Sequence, residues 1–249
     1  MSERIVIPVE YLPHPDMFRV AMTDESRHSL MGLHYVEGKW VTADGFAMVI
    51  RGIDEKFGEE RELPSYFRID EDLVRATYQM KPGTGIELEA GGENIADSIK
   101  RIFIPEGSYI LVGTIYPNYL NKIVQMKTGK TSLKDIAQGD LIFHPEETVI
   151  RIKLDGEQEL ELHCSLGEPV DLDSLPPDPS VSIDLTILYR TALALCSENE
   201  YPHRKTPTPT QLKPLSVLVK PDENYASYPI QFMRENGDYG IIMPMHKYK

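Results

Sequence analysis

Two groups of residues in this 249-residue chain are spaced so that they could act together. The first is cationic: Lys122, Lys127, Lys130 and Lys134 fall between Gly107 and Lys134 with no acid among them, and Arg204, Lys205, Lys213 and Lys220 fall between Tyr201 and Pro221, again with no acid. Clustered cations of this kind contact phosphates, which neutralise them without any need for base readout. The second is apolar and flexible: Met243-Pro244-Met245 follows Ile241-Ile242, and thioethers either side of a proline make an adaptable surface for peptide ligands. Tyr116 and Tyr119 precede the first basic stretch, but no repeated aromatic platform for single strands is present, so duplex contact is the expected mode.

Catalytic patterns are missing from the sequence. There is no GxSxG elbow, no GxxxxGK[ST] and no HExxH. Thr128 to Ser132 reads TGKTS but lacks the first glycine of a phosphate loop. The glycines of KPGTGIELEAGG, from Lys81, follow a helix pattern and precede a strand pattern, the reverse of the strand-glycine-helix order that cradles phosphate. The seven histidines are scattered, and His163 and Cys164 would fall on opposite faces of one strand, so no metal site is expected. Neither a cofactor nor an enzymatic activity is expected, although carboxylates are numerous enough to supply an acid-base pair.

The overall balance shapes how the cations can work. The chain carries 26 Lys and Arg against 39 Asp and Glu, for a net charge of −13. The two basic stretches hold eight of those cations and none of the acids, leaving −21 on the rest of the chain. An acidic body with basic stretches can hold a polyanion on one side without being coated by it. Two cysteines, Cys164 and Cys196, are too few for a disulfide scaffold, which favours a reducing compartment. No apolar run reaches the length of a membrane span and no signal core opens the chain, so a cytoplasmic, soluble protein is expected.

The elements that must position these groups are mostly strands. Short turn pairs, Glu37-Gly38, Gly91-Gly92, Asp155-Gly156 and Asn236-Gly237, sit between alternating segments. Around Asp155-Gly156, Ile150, Ile152 and Leu154 share a face that Leu160, Leu162 and Cys164 continue, while Arg151, Lys153, Glu159 and Glu161 point to water. Helices are few. Asp70 caps a predicted helix of about three turns bearing Leu73, Thr77 and Met80. Asp184 caps a second, with Leu188, Ala192 and Leu195 on one face, ending near Ser197-Glu198-Asn199. LDSLPPDP, from Leu172, and YPHRKTPTPTQLKP, from Tyr201, read as loops.

The two predicted helices sit in similar surroundings. PSYFRIDEDLVRA, from Pro64, and PSVSIDLTILYRTA, from Pro179, share a Pro-Ser, an Ile-Asp cap and a later Leu-x-Arg, and each half later reaches a tyrosine-led strand, SYILVGTIYP from Ser108 and DYGIIMPM from Asp238. A duplicated α+β unit follows, with domains at 1–120 and 121–249.

Three segments resemble the bacterial DNA polymerase sliding clamp, the processivity factor or β clamp. SRHSLMGLHYVEGKWVTADGFAMVIRGI, from Ser26, is similar to the clamp's middle domain in its order of Arg, Leu-x-Gly, strand and Thr-Asp-Gly turn. PNYLNKIV, from Pro117, is similar to the segment that ends that domain, and DYGIIMPM to the clamp's last strand. The resemblance covers the last two of a clamp's three domains. It implies α+β domains with sheets outside and two helices inside, a ring around duplex DNA, and tethering of a polymerase, which raises its local concentration without chemistry.

It also implies roles for residues. Arg75 and Arg190 on the capped helices, Lys122, Lys127, Lys130, Lys134, Arg204 and Lys205 become the candidates for DNA phosphates. A peptide pocket for polymerase and other clamp-binding motifs would be lined by Ala43, Gly45, Phe46, Met48, Val124, Met243, Pro244 and Met245. Phe46-Ala47 stands where the family has basic and polar residues, and His246 to Lys249 runs past the usual end. Without the first domain, a six-domain ring needs three copies, so a homotrimer is expected. The alternative is a clamp-like adaptor or clamp inhibitor that encircles nothing.

Overall fold

The computed structural model describes residues 3–21, 32–52, 63–69, 83–91, 109–117, 127–128, 131–132, 138–153, 159–163, 170, 172–197 and 213–245. The chain divides into two compact units. One comprises Met1–Phe103 with Leu193–Pro207, the other Ile104–Ala192 with Thr208–Lys249.

The first unit is built on an antiparallel sheet. Its strands are β1 (Glu3–Pro8), β2 (Leu33–Val36), β3 (Lys39–Ala43), β4 (Ala47–Gly52), β5 (Tyr66–Phe67) and β6 (Gly85–Ala90), in the order β1-β6-β5-β2-β3-β4. Strict alternation in β6 buries Ile86, Leu88 and Ala90 while Glu87 and Glu89 face water. Trp40 and Phe67 meet edge to face at 6.0 Å in the core, and the Trp40 indole N–H donates to the carbonyl of Tyr11 at 2.8 Å. The Glu37-Gly38 pair forms the expected two-residue hairpin: Val36 opposes Lys39, and both turn residues have positive φ, at 50° and 76°. A short helix, α1 (Pro15–Phe18), starts at a histidine cap with proline at its first position.

In the second unit, β7 (Ile110–Ile115), β14 (Leu215–Val219), β15 (Ile230–Met233) and β16 (Tyr239–Ile242) form one sheet in the order β16-β15-β14-β7. Another has the order β12-β11-β10-β13, from β10 (Gln138–His144), β11 (Glu147–Lys153), β12 (Glu159–His163) and β13 (Ser180–Asp184). A small ribbon joins β8 (Lys127–Thr128) to β9 (Thr131–Ser132). The two larger sheets approach closely at Gly113, where an added Cβ would collide with the Thr148 hydroxyl and lie 3.6 Å from the Phe143 ring. Glycine is required there for proximity.

The β11–β12 pair keeps the expected faces. Ile150 opposes Leu162, Ile152 opposes Leu160 and Lys153 opposes Glu159. The expected turn at Asp155-Gly156 lies outside the described residues. Ile150 and Ile152 are buried, and slipping the pairing by one residue would turn that face of the strand outward. The β15–β16 hairpin has a longer turn than the Asn236-Gly237 pair by itself. Met233 opposes Tyr239, the Gly237 N–H donates to the Arg234 carbonyl at 3.0 Å, and Gly237 takes φ 84°, as in a type I turn completed by a left-handed glycine.

The helix expected after Asp184 is present as α2 (Leu185–Cys196), with Leu188, Ala192 and Leu195 all buried. The segment from Leu172 is irregular as expected, although Leu175 turns inward. The helix expected after Asp70, the Gly92 side of its turn and the stretch from Tyr201 lie outside the described residues. No described helix is long and apolar enough to cross a membrane.

Candidate peptide-binding and nucleic-acid-binding residues

The β3–β4 turn is fixed by its own aspartate. One Asp44 carboxylate oxygen accepts from the N–H groups of Phe46 at 2.9 Å and Ala47 at 2.8 Å, and Gly45 at φ 91° turns the chain. Glycine first in a two-residue loop is the II′ pattern that matches strand twist. Two of the four candidates on this hairpin, Ala43 and Met48, oppose each other across the strands and are buried. Gly45 and Phe46 form the tip, and the Phe46 ring is 59% exposed. An exposed aromatic held on a rigid turn offers contact area at little entropic cost.

The C-terminal candidates leave a buried strand. Ile241 and Ile242 are in the core of the second unit, Met243 is 44% exposed, and Pro244 and Met245 are half-buried. The Met245 N–H donates to the Ser182 carbonyl on β13 at 2.9 Å, while the Ser182 hydroxyl bonds to the Asp140 carboxylate on β10. The Met-Pro-Met segment is therefore anchored at its end with its first thioether presented to solvent. Val124 lies outside the described residues.

Most of the cationic candidates also lie outside them: Arg75, Lys122, Lys130, Lys134, Arg204 and Lys205. Lys127 is placed on β8 by its backbone alone. Arg190 is half-buried in the middle of α2.

A buried polar network in the first unit was not foreseen in the sequence. The Arg51 guanidinium donates from Nη1 to the carbonyls of Ser197 at 2.6 Å and Ala194 at 3.1 Å, at the C-terminal end of α2. The Ser197 hydroxyl contacts the Asp16 carboxylate at 2.7 Å and the Leu193 carbonyl at 2.7 Å. His14 Nδ1 accepts from the Asp16 N–H at 3.1 Å, and Arg19 Nε lies 3.4 Å from the Asp16 carboxylate. Its composition of Ser, His and Asp does not make a nucleophile, because Ser197 meets Asp16 and not a basic nitrogen, and His14, Asp16 and Ser197 are fully buried. What it does is satisfy the last carbonyls of α2 with a cation. The only local hints were His14-Pro15 as a helix start and an arginine at the end of the apolar run AMVIRG.

Three tyrosines are shifted by burial. Burial pushes the Tyr109 phenol up to about 12, and its hydroxyl donates to the Pro229 carbonyl at 3.2 Å. Burial also raises Tyr66 and Tyr225, the latter partly offset by its hydrogen bond to Ser180. His163 pairs with Glu147 at 2.7 Å on the solvent side. Among the described residues, no group of three or more His, Cys, Asp or Glu side chains could hold a metal ion.

No family model and no curated protein matches this sequence. Solved structures do match. The beta subunit of the DNA polymerase of Streptococcus pyogenes aligns with 99% of this chain and 67% of its own, at TM-score 0.63 and 10% identity. The fold is that of the bacterial sliding clamp. A Caulobacter crescentus beta sliding clamp aligns with 98% of the chain at TM-score 0.59 and 14% identity, and the Streptococcus pneumoniae DNA polymerase III beta chain with 99% at 0.62 and 12%. The chain covers 65% of the Caulobacter clamp, just under two thirds of its length. The sliding-clamp fold accounts for the antiparallel sheets and the few helices, so the α+β class expected from the sequence stands.

Proposed function

We propose that this protein is a non-enzymatic sliding clamp that encircles duplex DNA and tethers a polymerase and other partners through linear peptides. The observation that carries the reading is the clamp fold over 98% of the chain. Two domains, 1–120 and 121–249, would make three copies the route to a six-domain ring. Among the described residues β1 and β12 each have a strand on one side only, so each unit has an edge available for pairing between subunits. Arg75, Arg190, Lys122, Lys127, Lys130, Lys134, Arg204 and Lys205 would touch phosphates without reading bases, inside a cytoplasmic replication assembly. Ala43, Gly45, Phe46, Met48, Val124, Met243, Pro244 and Met245 would receive the peptide, with Phe46 and Met243 as its exposed apolar contacts.

The test is native mass by light scattering across a concentration series, followed by retention on circular and linear duplex. A particle three times 28.3 kDa that stays on closed circles and slides off linear ends is the expected result. A monomer retained on neither overturns encirclement and leaves the adaptor reading, which the −21 outside the basic stretches favours. For the peptide site, Met245→Asp is expected to weaken a polymerase tail peptide about tenfold or more. Unchanged affinity in a folded variant would remove Met245 from the site.

A further inference from the structure

The Asn236-Gly237 pair does more than mark the β15–β16 turn. Of the chain's six asparagines, Asn236 is the only one followed by glycine. Asparagine is chemically labile, and most so before glycine, which has no side chain to shield its backbone nitrogen. Once hydroxide has taken the Gly237 N–H proton, the nitrogen attacks Cγ of Asn236, ammonia leaves with Nδ2, and a cyclic imide closes. Water then opens either carbonyl of the imide to give aspartate or isoaspartate, with no oxidant or reductant involved.

The turn both exposes this pair and ties it down. Asn236 and Gly237 are exposed, and open space surrounds the position of a Gly237 Cβ, so hydroxide and water reach the reacting atoms. The Gly237 N–H, however, donates to the Arg234 carbonyl at 3.0 Å, so the electron pair left by its proton points there rather than at the Asn236 side chain. That side chain is held at both ends by Asp238: Nδ2 donates to the carboxylate at 3.0 Å, and Oδ1 accepts from the backbone N–H at 3.2 Å. Asp238 is buried and braced by Arg234, whose N–H donates to the Asp238 carbonyl at 2.8 Å and whose guanidinium lies 3.7 Å from its carboxylate. Closing the imide means swinging the Gly237 nitrogen off Arg234 and the Asn236 amide off the carboxylate. It also brings negative charge up to that carboxylate.

We propose that Asn236 is a self-modification site that Asp238 holds in check, and that its conversion loosens the β15–β16 hairpin. Aspartate at position 236 sets a carboxylate where an amide now donates to Asp238, turning an attraction into a repulsion. Isoaspartate carries the main chain through the side-chain carbon and adds a methylene to the turn. The pairing of Met233 with Tyr239 and the Gly237 bond to Arg234 leave no room for it. Strand β16, which runs on into Met243, then loses the turn that fixes its register. The site lies within one unit and stands whether or not the chain forms a ring.

The test is incubation of the full chain in warm, mildly alkaline buffer, native and in urea, with conversion followed at each asparagine by peptide mapping. Mapping also separates Asn236 from Asp44-Gly45 and Asp155-Gly156, which form the same imide by losing water, without a change of charge on reopening. In urea Asn236 is expected to convert first. In the native chain its rate is expected to be about twentyfold lower, because two hydrogen bonds must open before attack. Asp238→Ala is expected to raise the native rate about fivefold, and Asp238→Asn, which keeps an acceptor without the charge, about twofold. Converted protein, separated on ion exchange by its added charge, is expected to lose about tenfold of hydrogen-exchange protection at the β16 amides. Equal rates in the native and urea-treated chain, another asparagine converting first in urea, wild-type rates in a folded Asp238→Asn, or unchanged protection after conversion would overturn the proposal. The native-to-urea comparison needs no variant, so it decides even where Asp238→Ala unfolds.

Discussion

The two ends of α2 are held in opposite ways. At its start, Asp184 accepts from the N–H groups of Thr186 at 2.8 Å and Ile187 at 3.0 Å, partners two and three residues away. At its finish, the carbonyls of Ala194 and Ser197 accept from Arg51, more than 140 residues earlier in the chain. The first arrangement is a local competition between a side chain and water for two backbone donors. The second exists only once β4 and the helix terminus have been brought together, and it then places a charge where the helix dipole favours a cation. The difference teaches that a cap next to its helix in sequence secures a start cheaply, whereas a distant cap makes the helix end report on the fold around it.

Breaking the distant end should do the most damage. Arg51→Leu leaves the two carbonyls without their donor in a buried setting, and a loss of about 3 kcal/mol is expected in urea unfolding. A loss below about 1 kcal/mol would mean the guanidinium is dispensable. Alkali should come next. Tyr109 ionises near 10 when unfolded but only at about 12 when folded, so its contribution is intact below pH 10 and drains away between pH 10 and 12. Stability should fall by on the order of 2 kcal/mol across that window, and Tyr109→Phe should flatten the fall. Its partner Pro229 is 120 residues away, so this too reports on a distant contact.

Ser197→Ala removes one acceptor-satisfying hydroxyl from Asp16 and should cost about 1 to 2 kcal/mol, with an Arg51→Leu/Ser197→Ala pair costing less than the sum because both act on one network. At the local end, Asp184→Ala should cost about 1 kcal/mol and Asp184→Asn only a few tenths, since either oxygen can accept the same two bonds. Strict additivity between Asp184→Ala and Arg51→Leu would sharpen the contrast, whereas a coupling above about 0.5 kcal/mol would break it by making the two ends one unit.

Short-range patterns in the sequence were enough to place α2, the β2–β3 turn and the two faces of the β11–β12 hairpin. Those features rest on a cap within three residues, a glycine able to take positive φ, and a period of two. The Asn236-Gly237 pair marks its turn but not the turn's length, because the dipeptide is a local signal and the register is set across the sheet, where Met233 opposes Tyr239. Of the candidate peptide residues, those at the Asp44-Gly45 turn and the Met-Pro-Met end were visible as motifs. That Phe46 and Met243 are presented while Ala43 and Met48 are packed away was not, since both pairs are equally apolar in the sequence.

What the sequence alone determined is therefore the Asp184 cap, the Glu37-Gly38 turn and the faces of the β11–β12 pair, the grouping of positive charge along an acidic chain, and the likeness of its motifs to a clamp. Tertiary structure alone decided that Arg51 closes a helix more than 140 residues away and that Gly113 lets two sheets touch. The physical reason is the range of the interactions. Dihedral preferences and capping bonds act over a few residues and leave a mark in the sequence, whereas desolvation and close packing depend on neighbours that only the folded chain supplies.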